Sequence, residues 1–252
     1  MLTSIFIPVR LQSERLPKKA LKKINGKPVI QYLIERLQKI KNIDNVVVCT
    51  TDHSSDDELI KFLKENDFSY FRGSNNDILD RFLKTAQKFR TDFIIAVDGD
   101  DIYSDPDYIE KILTESKKYD ADCYHITGVP VGFTPLGFKT STLEKICSVK
   151  NTTNTETGYG RFFFNKQLFK IHEIPIELKT TFPKNLRMSL DYETDFEIAK
   201  KIFNKFGNTF HIEDILVFLS KNPEILKELI ELQTKWDLHW NMNLSDISTR
   251  DI

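Results

Sequence analysis

Two groups of residues in this chain have the types and spacing to do chemistry, and they carry opposite charge. The first is the segment PVRLQSERLPKKALKKINGKP, which holds Arg10, Arg15, Lys18, Lys19, Lys22, Lys23 and Lys27 directly after an apolar run. Arg offers planar, bidentate donors to phosphate oxygens and Lys acts as a compact point charge. Arg10, Arg15 and Lys19 are therefore the natural ligands for a nucleoside triphosphate, whereas Lys22, Lys23 and Lys27 read as solvated surface lysines. The second group is acidic. The tetrad DGDD places Asp98, Asp100 and Asp101 at the end of an apolar run, and LRMSLDYETDF adds Asp191 and Asp195 far along the chain. Mg²⁺ takes hard oxygen ligands, usually one or two carboxylates with water and phosphate completing the shell, and the tetrad suits it. An Asx-rich turn leading into the helix at Pro106 would also use such residues.

The surrounding elements place both groups at strand ends. Residues 5–9, 46–50 and 93–97 are short runs of β-branched and aromatic residues, each followed by polar residues and a helical pattern. Between the first two, Val29, Ile30, Leu33, Ile34, Leu37 and Ile40 recur at helical spacing, and residues 56–65 and 78–89 supply further amphipathic helices. Repeated strand-helix-strand order predicts an α/β fold with a right-handed, doubly wound, mostly parallel sheet. In such sheets ligands bind beyond the carboxyl ends of the strands, where the basic loop and the DGDD tetrad emerge. Ser104 or Asp105 is the expected N-cap of a helix with Pro106 in its first turn. Residues 122–139 read as strands joined by a turn, an antiparallel extension of the sheet. Residues 186–190 are a further strand candidate, and Phe196, Ile198, Ala199, Ile202 and Phe203 give the helix after it an apolar face. A last helix is expected from Pro223 to about Lys235. The expected organisation is a domain over residues 1–222 and a C-terminal helix and tail, 223–252, whose Trp236 and Trp240 pack on the domain or on a second copy in a homodimer.

No GxxxxGK[ST] loop or GxGxxG fingerprint is present, so phosphate must be cradled differently. The string IPVRLQSERLPKKAL, followed by INGKPVIQYLIERL, resembles the opening of the cytidylyltransferases that activate surface-polysaccharide sugars, those of 3-deoxy-manno-octulosonate and, more closely, of the spore-coat type. Arg10, Ser13, Arg15, Leu16, Pro17 and Lys19 match that opening, while Lys18 stands where the family usually has glycine. The resemblance continues through VVVCTTD and FRGSNNDILDRFLKTAQKF and thins after about residue 110. It implies a Rossmann-like nucleotide-diphospho-sugar transferase fold, catalytic roles for Arg10, Arg15 and Lys19, and a nucleotide site that includes Pro8, Ser13, Arg72, Gly73, Ser74, Arg81 and Asp98. It also pairs Asp100 with Asp191 as the ligands of Mg²⁺. The acceptor's oxygen would then attack the α-phosphate of CTP, and pyrophosphate would leave.

The acceptor side is expected in the second half of the sheet. There His125, Lys150, Glu156, Tyr159 and Arg161 are candidate contacts, with acceptor binding expected of His125, Glu156 and Arg161. Gly132, Pro135 and Gly137 resemble the family's acceptor turn, without the acidic residue that turn usually carries. Asp98-Gly99-Asp100 also spells the Asp-x-Asp of glycosyltransferases that use a preformed nucleotide sugar, which leaves that activity, or a non-catalytic nucleotide-binding role, as alternatives.

Composition excludes other classes. Lys and Arg number 36 against 37 Asp and Glu, a net charge of −1 that supplies no field for nucleic acid. Three cysteines without a CxxC pair suit reduced core thiols, and His53, His172, His211 and His239 lack metal-site spacing. A start without a signal-peptide pattern and the absence of a long apolar run predict a cytoplasmic protein without a membrane span.

Overall fold

The computed structural model describes residues 1–244 and 246–249. In chain order its strands are β1 (Thr3–Pro8), β2 (Lys23–Ile24), β3 (Lys27–Pro28), β4 (Asn45–Thr51), β5 (Tyr70–Gly73), β6 (Phe93–Ala96), β7 (Cys123–Thr127), β8 (Leu136–Lys139) and β9 (Ile171–Pro175). Strands β2 and β3 form a separate small hairpin, and the other seven make one sheet in the order β5-β4-β1-β6-β8-β7-β9. Every pairing in it is parallel except those of β8, which runs antiparallel to both β6 and β7. The chain leaves β1 for β4 on one side and returns to β6 on the other. The crevice between the ends of β1 and β6 is thus the point where strand order reverses, the usual place for a ligand in such a sheet.

The strands alternate their side chains between two cores. Ile5, Ile7, Val48, Phe93 and Ile95 face one side, and Phe6, Val47, Cys49, Ile94 and Ala96 face the other. The first core is covered by α1 (Val29–Leu37), α2 (Asp57–Glu65), α4 (Pro106–Lys118), α6 (Glu193–Phe206), α7 (Ile212–Ser220) and the start of α8 (Pro223–Asn243). The second is covered by α3 (Ile78–Phe89), α5 (Thr140–Val149) and the 3₁₀ turn Tyr159–Phe164. At the head of α4 the Asp105 carboxylate accepts from the Asp107 N–H and Pro106 takes the first position, as its sequence predicts.

Two expectations require correction. Residues 186–190 are not a strand. They form a buried extended segment tied by the Met188 N–H to Val131 O and the Leu190 N–H to Asp100 O, with one isolated bridge to Val131. Leu186, Met188 and Leu190 are buried in the core, and the intervening Arg187 and Ser189 are buried as well, paired with each other and with Asp191. The last helix runs well past Lys235 to Asn243 and includes both tryptophans. Strand β9 and helices α5 and α7 have no counterpart in the sequence reading. The part of the tail at residues 245 and 250–252 lies outside the described residues. Among the described residues no helix is long and apolar enough to cross a membrane.

Candidate active site

The loop after β1 is held from below by Asp56. This carboxylate is fully buried and accepts from the Leu11 N–H at 2.8 Å, the Thr50 hydroxyl at 3.0 Å, and the N–H and hydroxyl of Thr51 at 3.2 and 2.5 Å. Ser13 Oγ accepts from the Leu16 N–H at 3.3 Å, and the Lys18 N–H returns to Leu11 O at 3.2 Å, which closes the loop on itself. Lys18, at the position where glycine is usual, sits in the left-handed region at φ 53°, and its ammonium reaches Glu58 at 2.6 Å. The backbone shape is therefore kept without glycine, at a cost of about 1–2 kcal/mol. The short 3₁₀ turn Lys19–Leu21 follows and aims Lys19 into the crevice.

At the end of β6, Gly99 explains why the two strand ends can meet. A Cβ there would lie 2.5 Å from Val9 Cγ2 and 2.8 Å from Pro8 O, so only glycine allows the contact. Lys19 Nζ donates to Asp100 Oδ2 at 2.5 Å and to Asp191 Oδ1 at 3.1 Å, and Arg15 Nη2 donates to the same Asp191 oxygen at 2.6 Å. Loop, β6 end and the distant segment before α6 thus converge on one ammonium. Asp191 is fixed from behind by Arg187, which no sequence reasoning singled out. The fully buried guanidinium donates to Asp191 Oδ2 at 3.1 Å, to Ser189 O at 2.5 Å, and to both oxygens of Asp195 at 3.1–3.2 Å. Asp195 in turn accepts from the Asp191 and Tyr192 N–H groups, each at 2.9 Å. The spacing of Arg187, Asp191 and Asp195, four residues apart, was the available signal.

The electrostatics divide the acids into two kinds. Burial pushes Asp191 up, but Lys19, Arg15 and Arg187 more than offset it and hold the carboxyl well below its ordinary value. Burial pushes Asp98 up to about 7, with Asp100 adding to the effect and the Tyr159 hydroxyl, donating at 2.8 Å, opposing it. Burial, with Asp98, Asp100 and Asp191 beside it, also raises Asp101 well above its ordinary value. Burial lowers Lys19, and Asp100 and Asp191 outweigh it to leave the ammonium held more firmly than usual. Asp98 accepts from Tyr159, while Asp100 and Asp191 face each other across Lys19, so these two carboxylates could hold a hard divalent cation if the ammonium moved aside. Two converging carboxylates are a donor set that Mg²⁺ accepts.

These groups line a cleft of about 930 Å³ that also takes in Pro8, Arg10, Ser13, Arg81, His125, Glu156 and Arg161. Glu156 lies between two cations, with Arg81 Nη2 at 2.9 Å and Arg10 Nε at 3.7 Å. Arg81 is itself buried and donates to Ser74 O at 2.6 Å. Arg72, Gly73 and Ser74 do not line the cleft. Arg72 caps the end of β4 by donating to Thr51 O and His53 O, both at 2.9 Å, and pairs with Asp57. Gly73 makes room for Arg81, whose Cγ would be 3.3 Å from a Cβ there, and Ser74 Oγ accepts from the Asp77 N–H at 3.1 Å. His125 stands edge-on to Phe164 with ring centres 4.8 Å apart, and burial lowers its pKa, which keeps it neutral. Lys150 is removed from the cleft by a buried ion pair with Asp77, and Gly137 lies under α4 against Ile112. Gly132 and Pro135 line the cleft. All three thiols are free and pushed by burial up to about 12, so none is a nucleophile at neutral pH.

The chain is 24% identical over 230 residues to the spore coat polysaccharide biosynthesis protein SpsF of Bacillus subtilis, covering 88% of this chain and 95% of that one. It is 35% identical over 125 residues to 3-deoxy-manno-octulosonate cytidylyltransferase 2 of Hydrogenovibrio crunogenus, about half of each chain (48% and 50%). Among solved structures, a cytidylyltransferase from Leptospira borgpetersenii superposes with a TM-score of 0.81 at 27% identity, covering 90% of this chain and 97% of that one. A CMP:2-keto-3-deoxy-manno-octonic acid synthetase complexed with CTP shares the fold, with a TM-score of 0.61 at 17% identity, covering 81% and 99%. The family model for cytidylyltransferases matches residues 4–241, which span the basic loop, the DGDD turn and Asp191 alike. A glycosyltransferase reading of Asp98-Gly99-Asp100 thereby gives way, and the chain is an enzyme of the cytidylyltransferase family.

Proposed function

We propose that this enzyme transfers CMP from CTP to a sugar acid or phosphorylated sugar in the cytoplasm, releasing pyrophosphate, as a step of cell-surface polysaccharide biosynthesis. The observation that carries the proposal is the convergence of Arg15 and Lys19 with Asp100 and Asp191 at the sheet's switch point. Arg10, Arg15 and Lys19 bind and orient the triphosphate, and their charge stabilises what accumulates on the phosphoryl oxygens as the acceptor oxygen attacks the α-phosphorus. The new P–O bond forms as the bond to the pyrophosphate oxygen breaks, with no covalent enzyme intermediate. Mg²⁺ held by Asp100 and Asp191 would withdraw further charge from those oxygens. Lys19 leaves the two carboxylates for phosphate when nucleotide arrives, which explains why one ammonium serves both. Pro8, Ser13, Arg81 and Asp98 line the nucleotide half of the cleft, and His125 and Arg161 the acceptor half.

The surface-polysaccharide role is supported by the spore-coat and octulosonate relatives. A homodimer completes the reading, with Leu238 and Met242 exposed at 64% and 84% on the outer side of α8. The test is a screen for pyrophosphate release from CTP, UTP, GTP and ATP against sugar acids and sugar phosphates. The reading expects CTP with at least one acceptor of these classes to be turned over. Consumption of a preformed nucleotide sugar, or preference for another base, would sink it.

A further inference from the structure

The second half of α8 is built differently from the first. Its buried residues, Ile225, Leu229, Leu232 and Gln233, stop at Gln233. Beyond them Trp236, His239, Trp240 and Asn243 follow one another at i, i+3, i+4 and i+7, and all four line the cleft. The two indoles stack with centres 4.8 Å apart and planes 19° from parallel, and both remain half-buried. They connect the two ends of the acceptor half. Trp236 lies 6.0 Å from the Arg187 guanidinium that fixes Asp191. Trp240 lies against the turn carrying Tyr159 and Arg161, where a Cβ on Gly158 would come within 3.5 Å of Trp240 Cζ2 and 3.3 Å of Arg161 Cδ. Gly158, at φ 80°, serves the turn, and a Cβ there would meet Leu244 Cδ1 at 2.8 Å, so the helix end packs closely on this turn. Large aromatics left half-exposed in a cleft forgo burial that a core would give them, which points to a ligand that completes it.

We infer that Trp236 and Trp240 form a stacking wall of the acceptor subsite, which takes the C–H face of a cyclic sugar while His239 and Asn243 meet its hydroxyls. This rests on the transferase reading above and narrows it: an acyclic polyol phosphate has no rigid apolar face to present. The indoles are the only two tryptophans in the chain, so intrinsic emission reports on the wall directly. The full-length enzyme with CTP and Mg²⁺ is titrated with 3-deoxy-manno-octulosonate, glucose 1-phosphate, mannose 1-phosphate and ribitol 5-phosphate, following emission and pyrophosphate in parallel. Expected is a saturable change with a cyclic probe, weakened about tenfold in Trp240→Ala, the loss of one aromatic face. Trp240→Phe should recover most of the affinity, and CTP affinity should stay within about twofold of wild type. That outcome supports the wall whether or not pyrophosphate appears; its absence would count against the transferase reading alone. The wall is overturned if no cyclic probe saturates, if ribitol 5-phosphate binds as tightly as the best of them, or if Trp240→Ala leaves acceptor affinity unchanged or weakens CTP equally.

Discussion

Replacing Lys19 by methionine removes the cation on which the site converges while keeping most of its volume. Breaking a fully buried ion pair costs about 3–5 kcal/mol because a charge is stranded. Here the stranding is partial. Asp191 keeps Arg15 at 2.6 Å and Arg187 at 3.1 Å, and Asp100 is 28% exposed, so water can reach it. A loss of about 1–3 kcal/mol is expected, with roughly 2–4 °C of Tm for each kcal/mol in a chain of this size. The loss should be larger at pH 8 than at pH 5. Lys19 is charged in both states across that range, so the pH dependence comes from the acids, and protonation of Asp98, pushed up to about 7, relieves the uncompensated charge at low pH. Added Mg²⁺ should restore more stability to the variant than it adds to wild type, because it no longer competes with an ammonium for Asp100 and Asp191. Turnover should fall by about 10²–10³, the usual loss on removing one group that stabilises developing charge. Differential scanning fluorimetry at both pH values, with and without Mg²⁺, and a pyrophosphate assay read all of these. Equal melting temperatures together with undiminished pyrophosphate release would refute the reasoning.

Other outcomes follow from the same geometry. Arg187→Met should destabilise the enzyme by about 3–5 kcal/mol in urea titrations, since Asp195 is left buried without its cation; a change below 1 kcal/mol would mean the pair is not what fixes Asp191. Lys18→Gly should raise stability by up to about 1 kcal/mol, as relief of the left-handed strain outweighs the greater freedom of the unfolded chain. An unchanged or lower midpoint would place the loop in another conformation. In chelator, wild-type stability should fall as pH rises from about 4 to about 7. Asp98 titrates near 7 when folded against an ordinary 3.8, so the folded state holds the extra proton through that window. Mg²⁺ should flatten the slope, and a slope of opposite sign in chelator would reject the assigned environment.

The parts of the fold legible in the sequence were those set by local pattern. Helix α3 is capped by Asp77 and ends at Phe89 as its periodicity indicates, and β1, β4 and β6 stand where their β-branched runs are. The site residues near strand ends were legible for the same reason, since strand and loop lie next to each other in sequence. What could not be read depended on distant partners. Residues 186–190 alternate like a strand but meet a loop and Asp100 instead of a ladder. Arg187 looks like a surface arginine until Asp191 and Asp195 are seen around it. Asp56 belongs to no motif, yet it ties β4 to the basic loop. The stripe of Trp236, His239, Trp240 and Asn243 mixes aromatic and polar types, so its helical period was hidden from a search for apolar residues. The resemblance implies a nucleotide contact for Arg72, whereas its guanidinium is occupied with the end of β4.

The central claim is that Asp100 and Asp191, brought together by Lys19, mark the place where the α-phosphate of CTP reacts. Its most direct test is the single-turnover yield of CMP-acceptor and pyrophosphate from CTP, compared between wild type and Asp191→Asn at matched CTP occupancy. Asparagine keeps the shape and removes the charge, so equimolar products from wild type and a rate at least about 10²-fold lower in the variant are predicted. Equal rates in the two proteins would contradict the claim.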